Sequence, residues 1–378
     1  MDVTFLGSVT DHPGPFATVC ADVTHTTENA DTELDLRVRA LADRLTEQGA
    51  PEAVVEAVRG RLLEGNEGGE AGTYRGRAVI AGPDGTVLFD APLADAPRTE
   101  TAEWSPMPDL VTVLRALPGR IPHVVIVADR VGADITVATA PGQPSVEKTV
   151  EGETHLIRKV QVGGWAHHRY QHNAENVWIH NMQQVIDEID TLVEKSGARF
   201  VLLAGDIRAR QIFTDRATPK IKAVLVDMNE GGRAEGADRS VIEQRVEELI
   251  AENEAGEQAG VIEQISAASA HGLAVTGTTL VVEALRKAQV ETLVLAEEQD
   301  DEQLFVGTSP LEIGVDREDM AALGVTDAAQ VPVERALLRA AVGSNAGVVV
   351  VPRSAMPGDI PVAAVLRYTD DSTAGGAS

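Results

Sequence analysis

The residues best suited to chemistry lie in one stretch, 154–174, which contains no acidic residue although the chain has a net charge of −27. Four of the nine histidines and one of the three tryptophans fall within it. A diglycine lets the backbone approach a ligand closely, a tryptophan can stack on a base, and basic side chains can contact phosphate oxygens. The stretch therefore predicts a local RNA-binding site made of Arg158, Lys159, Gly163, Gly164, Trp165, His167, His168, Arg169 and His172.

Three other interpretations of the polar residues in this region stay open. The diglycine can be a plain strand-to-helix turn whose tryptophan covers the core. His168 and His172 are four residues apart and could bind zinc together with Glu175, although a His-Glu-x-x-His arrangement is absent. Asp129 and Asp206 follow predicted strands and could bind magnesium, as the carboxylates of nucleases do.

Motifs of common enzyme classes are absent from the sequence. There is no Gly-x-x-x-x-Gly-Lys-Ser/Thr loop, no Gly-x-Gly-x-x-Gly after a strand and no Gly-x-Ser-x-Gly elbow. The chain is therefore predicted to be neither a nucleotide-hydrolysing nor a dinucleotide-dependent enzyme. We expect no catalytic residue, no cofactor and no bound metal.

The composition restricts where a polyanion could bind. Fifty-nine acidic residues against 32 basic ones disfavour a general binder of DNA or of a membrane surface, because such binding needs distributed positive charge. Any contact with RNA must be local. The single cysteine, Cys20, excludes a disulfide framework and reads as a buried strand residue. With no signal-peptide pattern and no long apolar run, we expect a cytoplasmic protein.

The elements that would position the diglycine belong to the second of three predicted domains, residues 119–232. HVVIVADR and ADITVAT read as adjacent strands turned at Gly132, and HLIRKVQV as a strand that leads into the diglycine. Apolar residues then recur at helical spacing over about 173–195, with Gly197 as a stop. The strands RFVLLAGD and KAVLVDM, around a short helix that begins near Arg208, complete a mixed sheet covered by helices.

The other two predicted domains flank this one. Residues 1–118 read as a small α/β domain with the strand FATVCADV, two amphipathic helices and a hairpin about Pro83-Asp84-Gly85. Residues 233–370 read as a connecting helix followed by alternating helices and strands of a three-layer α/β domain. The tail, 371–378, is small and polar, and we expect it to be disordered.

From His123 onward the order of elements resembles the archaeo-eukaryotic class of peptide release factors and their bacterial relatives. VVIVADRVGADITVA, VQVGGWAHHRYQHNAENVW, FVLLAGD with AVLVDM, and GLAVTGTTLVVEALRKAQVETLVLAEE follow one another as the landmarks of that family do. The resemblance covers about two thirds of the chain. It implies an RNase H-like mixed sheet in the middle domain and a C-terminal domain of the kink-turn-binding ribosomal-protein type.

The place of Trp165 separates this chain from the hydrolytic members of the family. It stands where they have the glutamine of Gly-Gly-Gln, which positions water at the ester of peptidyl-tRNA. An indole N–H cannot accept a hydrogen bond from water, so hydrolysis is not expected. The first domain also lacks the Asn-Ile-Lys-Ser signature with which the eukaryotic members read stop codons.

Without that glutamine the chain looks most like the Balon-type ribosome hibernation factors of actinobacteria. This resemblance implies occupancy of the A site of idle 70S ribosomes under stress, contact with ribosomal RNA, and association with the GTPase elongation factor Tu. The alternative is a ribosome-rescue peptidyl-tRNA hydrolase or tRNA nuclease that uses the histidine-rich stretch. A third possibility is an RNA-binding or signalling adaptor that does not bind the ribosome.

Overall fold

The computed structural model describes residues 3–24, 29–64, 75–93, 96–117, 121–129, 131–139, 146–151, 165–232, 239–297, 299 and 301–370; at residues 4, 151 and 165–178 it describes only the backbone. Two compact units are present. The first combines residues 1–118 with 257–378, and the second is 119–256. The division into three domains stays a prediction. The predicted tail, 371–378, lies outside the described residues.

The N-terminal part of the first unit contains an antiparallel sheet in the order β3-β2-β1-β4. Its elements are α1 (Gly7–Thr10), β1 (Phe16–Asp22), α2 (Ala30–Glu47), α3 (Glu52–Leu63), β2 (Gly76–Ala81), β3 (Val87–Leu93), β4 (Thr101–Ser105) and α4 (Leu110–Ala116). The predicted strand, helix pair and hairpin are confirmed as β1, α2 with α3, and β2 with β3. The amphipathic pattern of α2 places Leu34, Val38, Leu41 and Leu45 on its buried face, at helical spacing. Cys20 is buried in β1, as predicted, and burial raises the pKa of its thiol to about 11.

The second unit contains a five-stranded mixed sheet in the order β7-β6-β5-β8-β9. Its elements are β5 (His123–Ala128), β6 (Gly132–Ala138), β7 (Val146–Glu151), α5 (Trp165–Ser196), β8 (Phe200–Gly205), α6 (Ile207–Arg216), α7 (Pro219–Val224), β9 (Leu225–Asp227) and the first part of α8 (Ser240–Ser269). β5 is antiparallel to β6 and parallel to β8. β5 and β8 are buried on both faces of the sheet. α5, α6 and α7 cover one face, and α8 covers the other.

One predicted strand of this unit is partly wrong. KAVLVDM was expected to be extended throughout, but α7 continues to Val224 and only Leu225–Asp227 form β9. The reason is local, because Thr218 caps α7 by accepting a hydrogen bond from the Ile221 N–H and Pro219 occupies the first helical turn. The mixed α/β class itself is confirmed. The RNase H-like and kink-turn-binding types of the two domains stay predictions.

The C-terminal part of the first unit contains two sheets. One has the order β10-β16-β11-β15 and the other, which was not predicted, has the order β13-β12-β14. The elements are β10 (Ala274–Thr276), α9 (Thr278–Arg286), β11 (Val290–Ala296), β12 (Gln303–Val306), β13 (Ile313–Gly314), α10 (Arg317–Ala322), β14 (Ala329–Pro332), α11 (Val333–Gly343), β15 (Gly347–Val351) and β16 (Val362–Leu366). The predicted helices and strands that correspond to α9, β11, α11, β15 and β16 are confirmed.

The two parts of the first unit share one hydrophobic core. Leu6 and Leu110 near the N-terminal sheet belong to the same buried cluster as Leu285 and Leu337 of the C-terminal part. α11 contacts both α1 and α4. An ion pair reinforces this packing, since Arg335 of α11 binds Glu103 of β4. Residues more than 200 positions apart in sequence therefore fold as one body.

Candidate functional site

The long helix α5 begins at Trp165, immediately after the diglycine. Its 32 residues extend for about 48 Å. The sequence predicted that this helix begins near residue 173, so the structure extends it by eight residues at its N-terminus. The predicted site residues in this extension therefore lie on helical backbone and not in a loop; these are Trp165, His167, His168, Arg169 and His172.

The remaining predicted site residues lie outside the described part of the chain. They are Arg158, Lys159, Gly163 and Gly164, and the predicted strand over 155–162 lies there too. The structure fixes the two ends of this connection, since β7 ends at Glu151 and α5 begins at Trp165. Positions 165, 168, 169 and 172 are spaced so that they share one side of a helix. Binding of RNA by these residues stays a prediction.

The second half of α5 is held against the sheet by a continuous apolar stripe. Met182, Val185, Ile186, Ile189 and Val193 are buried at spacings of three and four residues. They pack with β5, β6 and β8 in one core. The first half of the helix is thereby attached to a rigid base, which suits a segment that must be presented to a partner.

Polar contacts fix the same half of the helix from both sides. Lys148 of the edge strand β7 forms an ion pair of 2.8 Å with Glu188. On the other side, Lys220 Nζ lies 3.2 Å from an Asp190 carboxylate oxygen and 2.9 Å from one of Glu194. The Thr218 hydroxyl donates to Asp190 at 2.6 Å, and this bond together with Lys220 lowers the pKa of Asp190. β7 and α7 thus both brace α5.

The two aspartates considered for magnesium are used by the backbone. Asp129 accepts hydrogen bonds from the N–H groups of Val131 and Gly132, at 2.7 and 2.8 Å. Asp206 caps α6 by accepting from Arg208 N–H and from the next residue, at 2.9 and 3.2 Å. Among the described residues no group of three His, Cys, Asp or Glu side chains could hold a metal ion. The zinc interpretation involves side chains outside the described set.

A buried arginine at the carboxyl end of β8 was missed by the sequence reasoning. Arg210, only 4% exposed, donates to the Gly205 carbonyl at 3.2 Å and to Asn229 Oδ1 at 3.1 Å, and it pairs with Asp227. Its donors are directed to groups of its own unit, so its position is structural. The sequence signal that could have indicated its burial is the position of Arg210 among the apolar residues of a helix.

Charge is divided unequally between the two units. Residues 119–256 contain 16 basic and 21 acidic residues, whereas the first unit contains 16 basic and 38 acidic ones. The net charges are therefore −5 and −22. Because phosphate binding is governed by nearby positive charge, the unit that carries α5 is the better suited of the two to approach RNA.

A protein-family model matches the segment of the chain that contains α5. Residues 122–271 match the family model of bacterial archaeo-eukaryotic release factor family 2. This match confirms, for that segment, the resemblance to archaeo-eukaryotic release factors that the sequence indicated. The segment includes the diglycine, the whole of α5 and the five-stranded sheet from β5 to β9.

The chain also matches solved structures, with low TM-scores. An archaeal translation termination factor, aRF1, is 17% identical over 96% of each chain, with a TM-score of 0.26. Archaeoglobus fulgidus Pelota is 16% identical over 78% of this chain and 80% of its own, with a TM-score of 0.36. A chain in a model of ribosome-bound archaeal Pelota and ABCE1 is 16% identical over 96% and 93%, with a TM-score of 0.40. No curated protein matched.

The described helices show no membrane-spanning candidate. None of them combines sufficient length with a sufficiently apolar composition to cross a bilayer.

Proposed function

We propose that this protein binds the ribosome as a hibernation factor, occupying the A site of idle 70S particles without hydrolysing peptidyl-tRNA. The observation that carries the proposal is Trp165. It is the first residue of α5 and follows the diglycine within a segment that matches a release-factor family model. The position at which hydrolytic relatives have glutamine thus carries a side chain without a hydrogen-bond acceptor.

Two physical features support binding without catalysis. The acid-free stretch 154–174 lies in the unit with the smaller negative charge, and it joins the braced edge strand β7 to the braced helix α5. Local positive charge on a rigid base favours contact with phosphates. A tryptophan that can stack on a base adds affinity without sequence preference.

The partners in this proposal are the 70S ribosome, its ribosomal RNA and the translational GTPase elongation factor Tu. The first two follow from the release-factor-like segment and its basic stretch. Elongation factor Tu and a role under stress come from the resemblance to Balon-type factors. The strongly acidic first unit, with a net charge of −22, suits a protein surface better than an RNA surface.

Cosedimentation with 70S particles from starved or cold-shocked cells tests binding. We expect the full-length protein to sediment with them and to block A-site tRNA entry. The triple variant R158A/K159A/R169A should bind about 10- to 100-fold more weakly, with a shallower dependence on salt, because up to three phosphate contacts are lost. The matched control is R39A/R44A/R59A, which removes the same charge from three exposed positions, two in α2 and one in α3.

Release of labelled peptide from a P-site tRNA tests the absence of hydrolysis. The wild-type protein should be inert, and the tRNA should remain intact. Peptide release or tRNA cleavage by the wild-type protein would favour the rescue hydrolase or nuclease instead. Equal binding by the triple variant and its control, or no ribosome binding under any stress, would contradict the proposal.

A further inference from the structure

β4 is an edge strand of the N-terminal sheet, and a side-chain amide occupies its outer edge. The Trp104 N–H donates to Gln48 Oε1 at 2.6 Å, and Gln48 Nε2 donates to the Ala102 carbonyl at 3.1 Å. Successive residues of a strand direct their backbone groups to opposite sides, so Ala102 and Trp104 share the side that faces away from β1. The amide of Gln48 therefore makes the two hydrogen bonds that one residue of a further strand would make.

The end of α2 holds Gln48 at this place. Gly49 follows it in the left-handed conformation, with φ +88°. The Gly49 N–H donates to the Thr46 carbonyl at 2.9 Å, and the Ala50 N–H donates to the Leu45 carbonyl at 3.0 Å. These two bonds form a Schellman motif, which ends a helix at a defined residue. The side chain of Gln48 thus reaches the strand from a fixed helix end.

The opposite edge of the same sheet is protected by different means. β3 contains Pro92, which has no N–H to offer to another strand. The Ser8 hydroxyl also donates to the Leu88 carbonyl of β3, at 3.3 Å. β4 contains no proline, and its one charged residue, Glu103, forms an ion pair with Arg335. Proline and an unpaired charge, two common protections of an edge strand, are therefore absent from β4.

We propose that Gln48 closes the edge of β4 and thereby prevents a second copy of the chain from adding its own β4 to the sheet. Two such edges, related by a two-fold axis normal to the sheet, would pair antiparallel through identical surfaces. Both copies must first break the two bonds of Gln48. This contact acts together with the repulsion between the first units of the two copies, each with a net charge of −22.

Sedimentation of the full-length protein over a range of concentrations tests this role. Gln48→Ala removes both bonds, and it should dimerise at a protein concentration at least about tenfold lower than the wild type, because one hydrogen bond contributes about fivefold. A salt concentration of about 1 M, with a Debye length of about 3 Å, suppresses the repulsion between copies. The matched control is Thr46→Ala, since the Thr46 hydroxyl bonds the Ala42 carbonyl within α2. This control should behave like the wild type.

A second substitution separates strand addition from a general loss of stability. Gln48→Lys cannot accept the Trp104 N–H, but it places a charge at the edge that opposes pairing of strands. It should therefore dimerise no more than the wild type.

Hydrogen exchange locates the contact. In Gln48→Ala the amides of 101–105 should exchange at least about tenfold more slowly once the protein dimerises, whereas in the wild type their exchange should not depend on concentration. Three results would each overturn the proposal: no dimerisation of Gln48→Ala beyond that of the wild type, equal dimerisation of Gln48→Ala and Gln48→Lys, or dimerisation without slower exchange in 101–105.

Discussion

Loss of Arg335 should destabilise the first unit more than the loss of any exposed ion pair. Its guanidinium contacts both carboxylate oxygens of Glu103, at 2.7 and 2.8 Å, and lies 3.2 Å from Asp109 Oδ2. The side chains of Arg335 and Asp109 are only 16% and 15% exposed, and that of Glu103 is 37% exposed. Arg335→Met keeps the apolar stem but leaves two neighbouring carboxylates without their cation.

The expected loss of unfolding free energy for Arg335→Met lies between the values for exposed and for fully buried ion pairs. Exposed pairs contribute up to about 1 kcal/mol, and removing one partner of a fully buried pair costs about 3–5 kcal/mol. Partial burial and bidentate geometry place Arg335→Met at about 2–3 kcal/mol of lost unfolding free energy. A double-mutant cycle with Glu103→Gln should give a coupling energy of about 1–2 kcal/mol. Asp109 is kept in the cycle, since it also caps α4 through Thr112.

Urea unfolding, monitored by tryptophan fluorescence, measures the coupling energy of this cycle in the first unit. Trp104 is next to Glu103 on β4, so a W165F/W178F background leaves a single tryptophan, in the first unit. The control cycle uses Arg61 and Glu64, which are also 2.8 Å apart but 45% and 64% exposed. It should give less than about 0.5 kcal/mol. Equal coupling in the two cycles would refute the view that the Arg335 contact fastens the two parts of the unit.

Two further predictions concern the second unit. Burial lowers the pKa of His123, which stacks on Phe200 with ring centroids 4.7 Å apart, so folding disfavours the protonated ring. Stability should therefore fall as the pH drops below about 6.5, by up to about 1.4 kcal/mol per pH unit, because the unfolded chain takes up the proton at a higher pH than the folded one. His123→Phe should lose less stability between pH 7 and 5 in urea melts, and identical pH profiles of the two proteins would contradict this. Gly205→Ala should lower the free energy of unfolding by about 2–4 kcal/mol, because φ is +114° and the added Cβ would overlap the Ala128 carbonyl oxygen. The control is Gly197→Ala, where φ is +64° and nothing lies within 4 Å of the added Cβ. Thermal melts should show a loss of only about 1 kcal/mol for this control.

Elements with a strong apolar period could be predicted from the sequence, and weakly patterned ones could not. α2 and α9 bury one face at helical spacing, α11 is buried at every position from Ala336 to Val342, and β1, β5 and β8 are short apolar runs. β7 was not predicted because VEKTVE has three charged residues in six and no apolar alternation, on a largely exposed edge. The helical state of 222–224 could have been found, since Thr218-Pro219 is a readable helix start.

What the sequence could not predict is which apolar faces meet. Leu6, Val113 and Leu337 share one core across more than 200 residues, and no local pattern in the sequence indicates this. The same limit applies to the candidate site. Residue types and spacing identified the stretch 154–174, while the bracing of α5 by Lys148 and Lys220 required the fold, because these contacts join separate elements.

The unequal charge of the two units bears on how RNA binding should respond to salt. On the proposed function, each phosphate contact of the basic stretch should weaken with rising salt, because condensed counterions are no longer released as favourably. The net charge of −22 on the first unit would repel any phosphate within a Debye length, about 8–10 Å, and added salt would screen this repulsion. The two effects oppose each other. The measured salt dependence should therefore understate the number of phosphate contacts, and the difference between the wild type and R158A/K159A/R169A counts them better than either slope alone.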